Sequence, residues 1–324
     1  MTPDRPPRLT HHALLYDCEQ SLLDTATRFC LDGLGDGDAV LVVTTPATIA
    51  QLRHALGSAA SRVEFADSRT WYDTPGRALA AYHRHVTART ATHHRIRILG
   101  EPVWHGRHPR ETLEWTRCES IANVALADSP AWIVCPYDTR ALPAHLTEDA
   151  QRTHPHLTTG AHTRPSPLYT DPEIFTRIRD HRPTGTEPTS TGPTSSEPAA
   201  TLRFDHDLGK VRAFLTTQAA ALGLPDTDTA KLVFAANEVA TNAVQHGGGT
   251  GEIRLHRHGP ALVCDVHDSG RLTAPFPGYL PPTTPHHGRG LWAVRQLCDL
   301  VEIHRNRPGT LVRLHLTLTP PART

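Results

Sequence analysis

Apolar positions in the first 155 residues switch between two spacings. From Ser21 to Leu34 they recur at helical intervals, with Leu22, Ala26, Phe29 and Cys30 on one face. After the turn Gly35-Asp36-Gly37-Asp38, the run Ala39–Thr45 (AVLVVTT) is continuously apolar and β-branched, as expected of a strand buried on both faces. Thr45-Pro46 then supplies an N-cap and a first-turn proline, predicting a helix to about Leu56. Two further strands are predicted over Arg95–Gly100 (RIRILG) and Ala131–Tyr137 (AWIVCPY). Helical patterns around Arg77–Thr90 and Arg110–Ala127 separate them. Alternating strands and helices of this kind predict a mainly parallel α/β sheet.

The pattern changes after residue 180. His181–Ala200 (HRPTGTEPTSTGPTSSEPAA) has nothing to bury before Ala199 and reads as a flexible linker. It divides the chain into a domain of residues 1–180 and one of residues 201–324. In the second, Leu208–Leu222 and Asp226–His246 read as helices, and Glu252–His258 with Ala261–Asp268 as an antiparallel pair. A proline-rich loop, a helix over Gly290–Leu300 and two strands, Val301–Asn306 and Thr310–Leu318, complete it. Helices on one face of a mixed sheet predict a two-layer α/β sandwich.

Composition narrows the function classes. Lys+Arg and Asp+Glu both number 33, so no net field favours DNA or an anionic membrane. Lys210 and Lys231 are the only lysines, so residues 1–180 hold no Walker-type phosphate loop. The six cysteines form no C-x-x-C pair and mostly sit in apolar runs, which predicts buried free thiols. No signal peptide and no stretch of ~20 apolar residues is present, so a cytoplasmic protein is expected.

Three motifs in the second domain carry chemistry. In ANEVATNAVQHGG (Ala236–Gly248), Glu238 and Asn242 stand one helical turn apart on one face. A carboxylate there can deprotonate a nucleophile, and an amide oxygen can take one position on Mg²⁺. In VCDVHDSG (Val263–Gly270), Asp268 closes an apolar strand and can accept a hydrogen bond from an adenine amino group. In HHGRGLWAVRQLCD (His286–Asp299), Gly288 and Gly290 flank Arg289 before an amphipathic helix whose N-terminus offers N–H groups to phosphate.

In this order, E-x-x-x-N, D-x-G and G-x-G-L resemble the N, G1 and G2 boxes of the GHKL ATPase superfamily, which includes gyrase and the histidine kinases. EVATNAVQHG and GRGLWAVRQLCDLVEI most resemble its small serine kinases that act as bacterial anti-sigma factors. The resemblance covers about Thr201–Leu318. It implies Glu238 as general base, Asn242 as Mg²⁺ ligand and Asp268 as the adenine-reading carboxylate. Gly270, Gly288, Arg289, Gly290 and Leu291 would line the nucleotide, and Thr310 falls at the family's Gly-Thr near the adenine. Two departures stand out. Leu272 replaces the second glycine of a D-x-G-x-G box, and His286 stands where these kinases usually place an arginine.

In the first domain, HHALLYDCEQ, GEPVW, WTRCESIAN and CPYD resemble the MEDS sensory domain found in regulators of methyl-compound metabolism and in anti-sigma factors of the RsbA type. That domain is similar to a RecA-like sheet without its phosphate loop, and the resemblance covers about Thr10–Pro155. Polar and aromatic groups near strand ends suggest a sensory pocket of His12, Tyr16, Glu101, Trp104, Glu119 and Tyr137. Trp104, Trp115 and Tyr137 read equally as core aromatics, and His12 as a satisfied surface histidine. His11, His12 and Cys18 have no regular metal-ligand spacing.

Together the resemblances imply a regulator in which a sensor of an unknown small ligand controls a domain that binds ATP, Mg²⁺ and a sigma factor. Phosphorylation of a Ser or Thr on a STAS-type anti-anti-sigma partner is the implied activity. No direct nucleic-acid or membrane contact is expected, and homodimerisation is left open. Alternatives are a catalytically inactive, nucleotide-dependent binding module and the catalytic half of a histidine kinase.

Overall fold

The computed structural model describes residues 8–180, 199–282, 288–307 and 309–318. It divides into two compact units, Met1–Asp73 with Arg77–Thr176, and Thr74–Gly76 with Arg177–Thr324. The stretch read as a linker lies outside the described residues except for Ala199 and Ala200.

In the first unit the strands are β1 (Thr10–Tyr16), β2 (Ala39–Thr44), β3 (Glu64–Asp67), β4 (Ile96–Gly100), β5 (Ala131–Asp138), β6 (His156–Thr159) and β7 (His162–Pro165). The helices are α1 (Glu19–Asp36), α2 (Pro46–Leu56), the short α3 (Ser68–Trp71), α4 (Pro75–Arg89), α5 (Pro109–Ala125), α6 (Ala144–Thr153) and α7 (Pro172–Asp180). One seven-stranded sheet runs β3-β2-β4-β5-β1-β6-β7, parallel throughout except for the β6–β7 hairpin. Every residue of β2 and β4 is buried, as their unbroken apolar runs require.

Local signals explain the element ends. Thr45 caps α2, its Oγ1 accepting from Thr48 N, and Pro46 follows in the first turn. Gly37 ends α1 in the left-handed region at φ 77°, its N–H donated to Gly33 O. Leu22, Ala26, Phe29 and Cys30 of α1 pack with Leu52 of α2 against Leu14, Val42 and Val134. On the other face, α4, α5 and α6 deliver Tyr82, Trp115 and Ala150 to Ala13, Ile98, Cys135 and Tyr137. Trp115 and Tyr137 are thus core aromatics.

In the second unit the elements are β8 (Ala200–Phe204), α8 (Leu208–Ala221), α9 (Asp226–His246), β9 (Gly251–His258), β10 (Ala261–Asp268), α10 (Arg289–Leu297), β11 (Leu300–Arg307) and β12 (Gly309–Thr317). The sheet runs β11-β12-β10-β9-β8, and every pairing is antiparallel, which corrects the expectation of a mixed sheet. The physical reason is β8. It adds beside β9 in antiparallel register, so no parallel crossover is needed. The sequence reading assigned Ala200 to the linker, whereas this strand begins there. One layer of helices covers one sheet face. Leu215 of α8, Leu232, Ala236 and Val239 of α9 and Val294 of α10 meet Ile253, Cys264, Val266 and Leu314. Burying each large aliphatic side chain contributes about 1.5–3 kcal/mol. All six cysteines are free and all but Cys18 are buried. No helix among the described residues is long and apolar enough to cross a membrane.

Candidate nucleotide-binding site

Helix α9 crosses the sheet and ends where β10 ends. Its exposed-side periodicity leaves Glu238 and Asn242 half-buried, while the adjacent Val239, Ala240 and Ala243 enter the core. Among the described residues neither Glu238 nor Asn242 has a side-chain hydrogen-bond partner, so both polar heads are available. Gly290 in the first turn of α10 faces them. A Cβ there would lie 2.8 Å from Glu238 Oε2 and 4.0 Å from Asn242 Nδ2. Gly288 caps α10 with φ 80°, a conformation that side chains disfavour. The first-turn N–H groups of α10 therefore open beside Glu238 and Asn242. Arg289 is exposed and makes no hydrogen bond or ion pair among the described residues.

Asp268 closes β10, paired with Gly251 on one side and Thr310 on the other. Its Oδ1 accepts from Gly270 N at 2.6 Å. Burial raises its carboxyl pKa, with the Gly270 N–H and nearby His267 working in the opposite direction. The D-x-G turn is locked against the end of α9. A Cβ at Gly270 would collide with the Gly247 Cα and stand 2.9 Å from His246 O. Ser269 Oγ donates to Gly247 O at 3.0 Å, and Thr310 Oγ1 donates to Gly270 O at 2.9 Å. Gly309, at φ 99°, allows β12 to pass the Asp268 carbonyl.

These elements enclose a cavity of about 150 Å³ lined by Val239, Asn242, Asp268, Gly270, Leu291 and Thr310, among others. Pockets that enclose drug-sized ligands span ~300 Å³ and more, so this one suits a group of base size. Asp268 and Thr310 supply its polar end, and Val239, Leu272, Leu291 and Val312 its apolar walls. Asn242 also lines it and joins it to the patch of Glu238 and Gly290. Val239 and Val312 line the cavity in addition to the residues that the motifs imply. The signal was available, because Val239 follows Glu238 and Val312 stands two residues from Thr310 on the same strand face. Leu272, noted as the missing second glycine, forms part of the wall. His286 lies outside the described residues.

The six residues suggested as a sensory pocket are not brought together. Strand alternation sends His12 and Tyr16 to the α1–α2 face of the sheet, and Tyr137 to the α4–α6 face. His12 is buried beside Trp132 and His156, with Nδ1 3.2 Å from Thr158 Oγ1, so it is not a surface histidine. Burial lowers its pKa to about 4, with His156 adding to the effect. Tyr16 does meet Glu101. Its hydroxyl donates to Glu101 Oε1 at 3.2 Å, and Thr44 donates to the other carboxylate oxygen. Burial raises the pKa of Glu101 against those two hydrogen bonds. This cluster marks the carboxyl ends of β1, β2 and β4, the usual ligand edge of a parallel sheet. The β1–α1 turn there is Asp17-Cys18, without glycine or lysine. Trp104 packs on Tyr137, ring centroids 5.8 Å apart. Glu119 of α5 is buried 3.4 Å from His154.

Two family models match separate stretches of the chain. Residues 10–155 match the family described as MEDS, the methanogen/methylotroph DcmR sensory domain. Residues 201–316 match the histidine kinase-like ATPase domain. No curated protein matches the chain. Among solved structures, the RsbU and RsbW domains of Rv1364c from Mycobacterium tuberculosis are 25% identical to it. That match covers 39% of this chain and 34% of the other, with a TM-score of 0.30, so the chain spans about a third of that protein's length.

Proposed function

We propose, from the premise that a MEDS sensory domain is here joined to a histidine kinase-like ATPase domain, that the second domain binds Mg²⁺-ATP as an anti-sigma-type regulator. The observation that carries this reading is the convergence of Asp268, Thr310, Asn242, Glu238 and Gly290 around one base-sized cavity and the open end of α10. The Asp268 carboxylate receives the adenine amino group. The phosphates extend past Asn242 to the N–H groups of α10. The unpartnered amide of Asn242 suits a hard cation, and its oxygen would hold Mg²⁺ beside them. Bound there, the ion would neutralise phosphate charge. Glu238 accepts the proton of an incoming serine or threonine hydroxyl from a STAS-type partner. The binding partner under control is a sigma factor, and the first domain tunes that interaction through a small ligand.

Calorimetric titration of the full chain with ATP, with and without Mg²⁺, tests the binding. Asn242→Ala should weaken Mg²⁺-ATP by at least about tenfold, in the range of losing one ligand interaction. Glu238→Gln should keep that affinity while lowering phosphate transfer from labelled ATP by a factor on the order of 10²–10⁴. Binding that ignores Mg²⁺ and Asn242 would refute the nucleotide site. Intact binding with no transfer by the parent chain to any STAS-type protein leaves a nucleotide-dependent binding module.

A further inference from the structure

On the α4–α6 face of the first unit's sheet, four buried side chains from four segments converge. They are His11 of β1, Glu119 of α5, Cys135 of β5 and His154, which follows α6. Their ligand atoms all lie within 4.8 Å of one another. His11 Nε2 is 3.5 Å from Cys135 Sγ and 3.8 Å from a Glu119 oxygen, and His154 Nε2 is 3.4 Å from the same oxygen.

Hydrogen bonding fixes both histidine tautomers. His154 Nδ1 lies 2.8 Å from Ala150 O, a carbonyl that can only accept, so Nδ1 carries the hydrogen. Asn123 Nδ2 donates to Thr153 O and Ser120 O, which turns its Oδ1 to His11 Nδ1 at 3.1 Å as the acceptor. His11 Nδ1 therefore also carries a hydrogen. In the neutral imidazoles both Nε2 atoms are left as lone pairs facing Glu119 and Cys135, and His154 Nε2 has no hydrogen-bond partner among the described residues. Two imidazole lone pairs and a carboxylate thus share the single thiol hydrogen of Cys135. Buried acceptors without donors are costly, and a cation resolves all of them at once. Imidazoles oriented by acceptors on Nδ1 are the usual supporting arrangement of histidine metal ligands.

We infer that His11, Glu119, Cys135 and His154 form a binding site for one divalent transition-metal ion of the zinc class. Tetrahedral coordination at zinc bond lengths separates ligand atoms by about 3.3–3.8 Å; the spacings of 3.5, 3.8 and 3.4 Å already fall in that range, and the widest pairs, within 4.8 Å, close by at most about an ångström. Two nitrogens, one sulfur and one oxygen suit zinc, and disfavour magnesium and calcium, which take oxygen sets. Binding releases the Cys135 thiol proton, and the thiolate and carboxylate then balance the charge of the ion. A cavity of about 20 Å³ opens on His11, Glu119 and Cys135, room for one atom-sized occupant. The ligands come from residues 11 to 154, so the ion would tie both ends of the sensory domain together.

The test uses the full-length chain, stripped with chelator and reloaded with Zn²⁺ or Co²⁺ alone. One tightly held equivalent per chain is expected by elemental analysis after desalting. Co²⁺ should give tetrahedral visible bands and a thiolate-to-cobalt charge-transfer band. That band should vanish in Cys135→Ser and persist in Cys118→Ser, a neighbouring buried thiol outside the set. X-ray absorption of the parent should show one sulfur and three lighter ligands, a readout that needs no variant to fold. Retention below about a tenth of an equivalent, a metal shell without sulfur, or a band unchanged in Cys135→Ser would overturn the site. In the first case a water molecule bridges the lone pairs instead.

Discussion

Asp268 answers to two demands at the scale of a single residue. In the proposed role of adenine acceptor it serves best as a carboxylate, yet burial raises its pKa above the ordinary value of 3.8. The native state therefore holds this proton more tightly than the unfolded chain does. Its stabilising contribution is complete below the ordinary carboxylate range and is lost as pH rises through the raised value. Where this carboxyl is ionised, the nucleotide-free protein carries a buried charge that opposes folding. Asp268→Asn, which can still accept from Gly270 N, should melt higher than the parent at pH 7, with the gain shrinking as pH falls toward 4. The same variant should bind ATP more weakly, because an amide can present a donor where adenine requires an acceptor. Scanning calorimetry at both pH values, paired with ATP titration, checks this; a lower melting point at pH 7 would contradict it. The motif spacing in the sequence located Asp268, but the contacts of Gly270 with Gly247 and His246 join segments more than twenty residues apart. No local pattern reports them.

Between elements, Arg97 shows what periodicity hides. It sits inside β4, a strand whose apolar neighbours read as buried on both faces, and it is itself buried. Its guanidinium bonds Asp38 at 2.7 Å, Asp36 at 2.5 Å and the Phe29 carbonyl at 3.3 Å, and stacks over Trp132 at 4.6 Å. It thereby fastens the end of α1 and the start of β2 to the middle of the sheet. Arg97→Ala would leave Asp38 buried without its partner, a loss of about 3–5 kcal/mol for a buried pair. Arg97→Met, which refills the volume, should cost less, and urea unfolding compares the two. The long helices were legible because a 3.6-residue period sets them locally, and β2, β4 and β5 because their apolar runs are unbroken, whereas β1, with two histidines in its first three residues, was not read as a strand. β3, β6 and β7 have four residues each, too few for a period to show, and β8 hid behind a Pro/Thr/Ser composition. The convergence of Glu238, Asn242, Asp268 and Gly270 was foreshadowed by motif order and spacing. The separation of Tyr16 from Tyr137 was not, since facing directions in β1 and β5 depend on which helices cover each side of the sheet.

For the whole molecule, two units with separate cores predict two cooperative transitions. Limited proteolysis should cut first within residues 181–198, whose composition provides no apolar anchor, and release two fragments that stay folded by circular dichroism. Early cleavage inside β2 would contradict independent folding of the first domain. The placement of β1 carries a further consequence, for synthesis. The strand of this sheet that comes first in chain order is not an edge; it lies between β5 and β6, near the centre. At 5–20 residues per second, a ribosome delivers those neighbours on the order of ten seconds after β1. Until then Ala13-Leu14-Leu15-Tyr16 emerges with both backbone edges unpaired, a template for pairing with other nascent chains. The first domain can therefore close only after nearly all of it has left the ribosome, and its yield in a cell should depend on whatever shields β1 during translation.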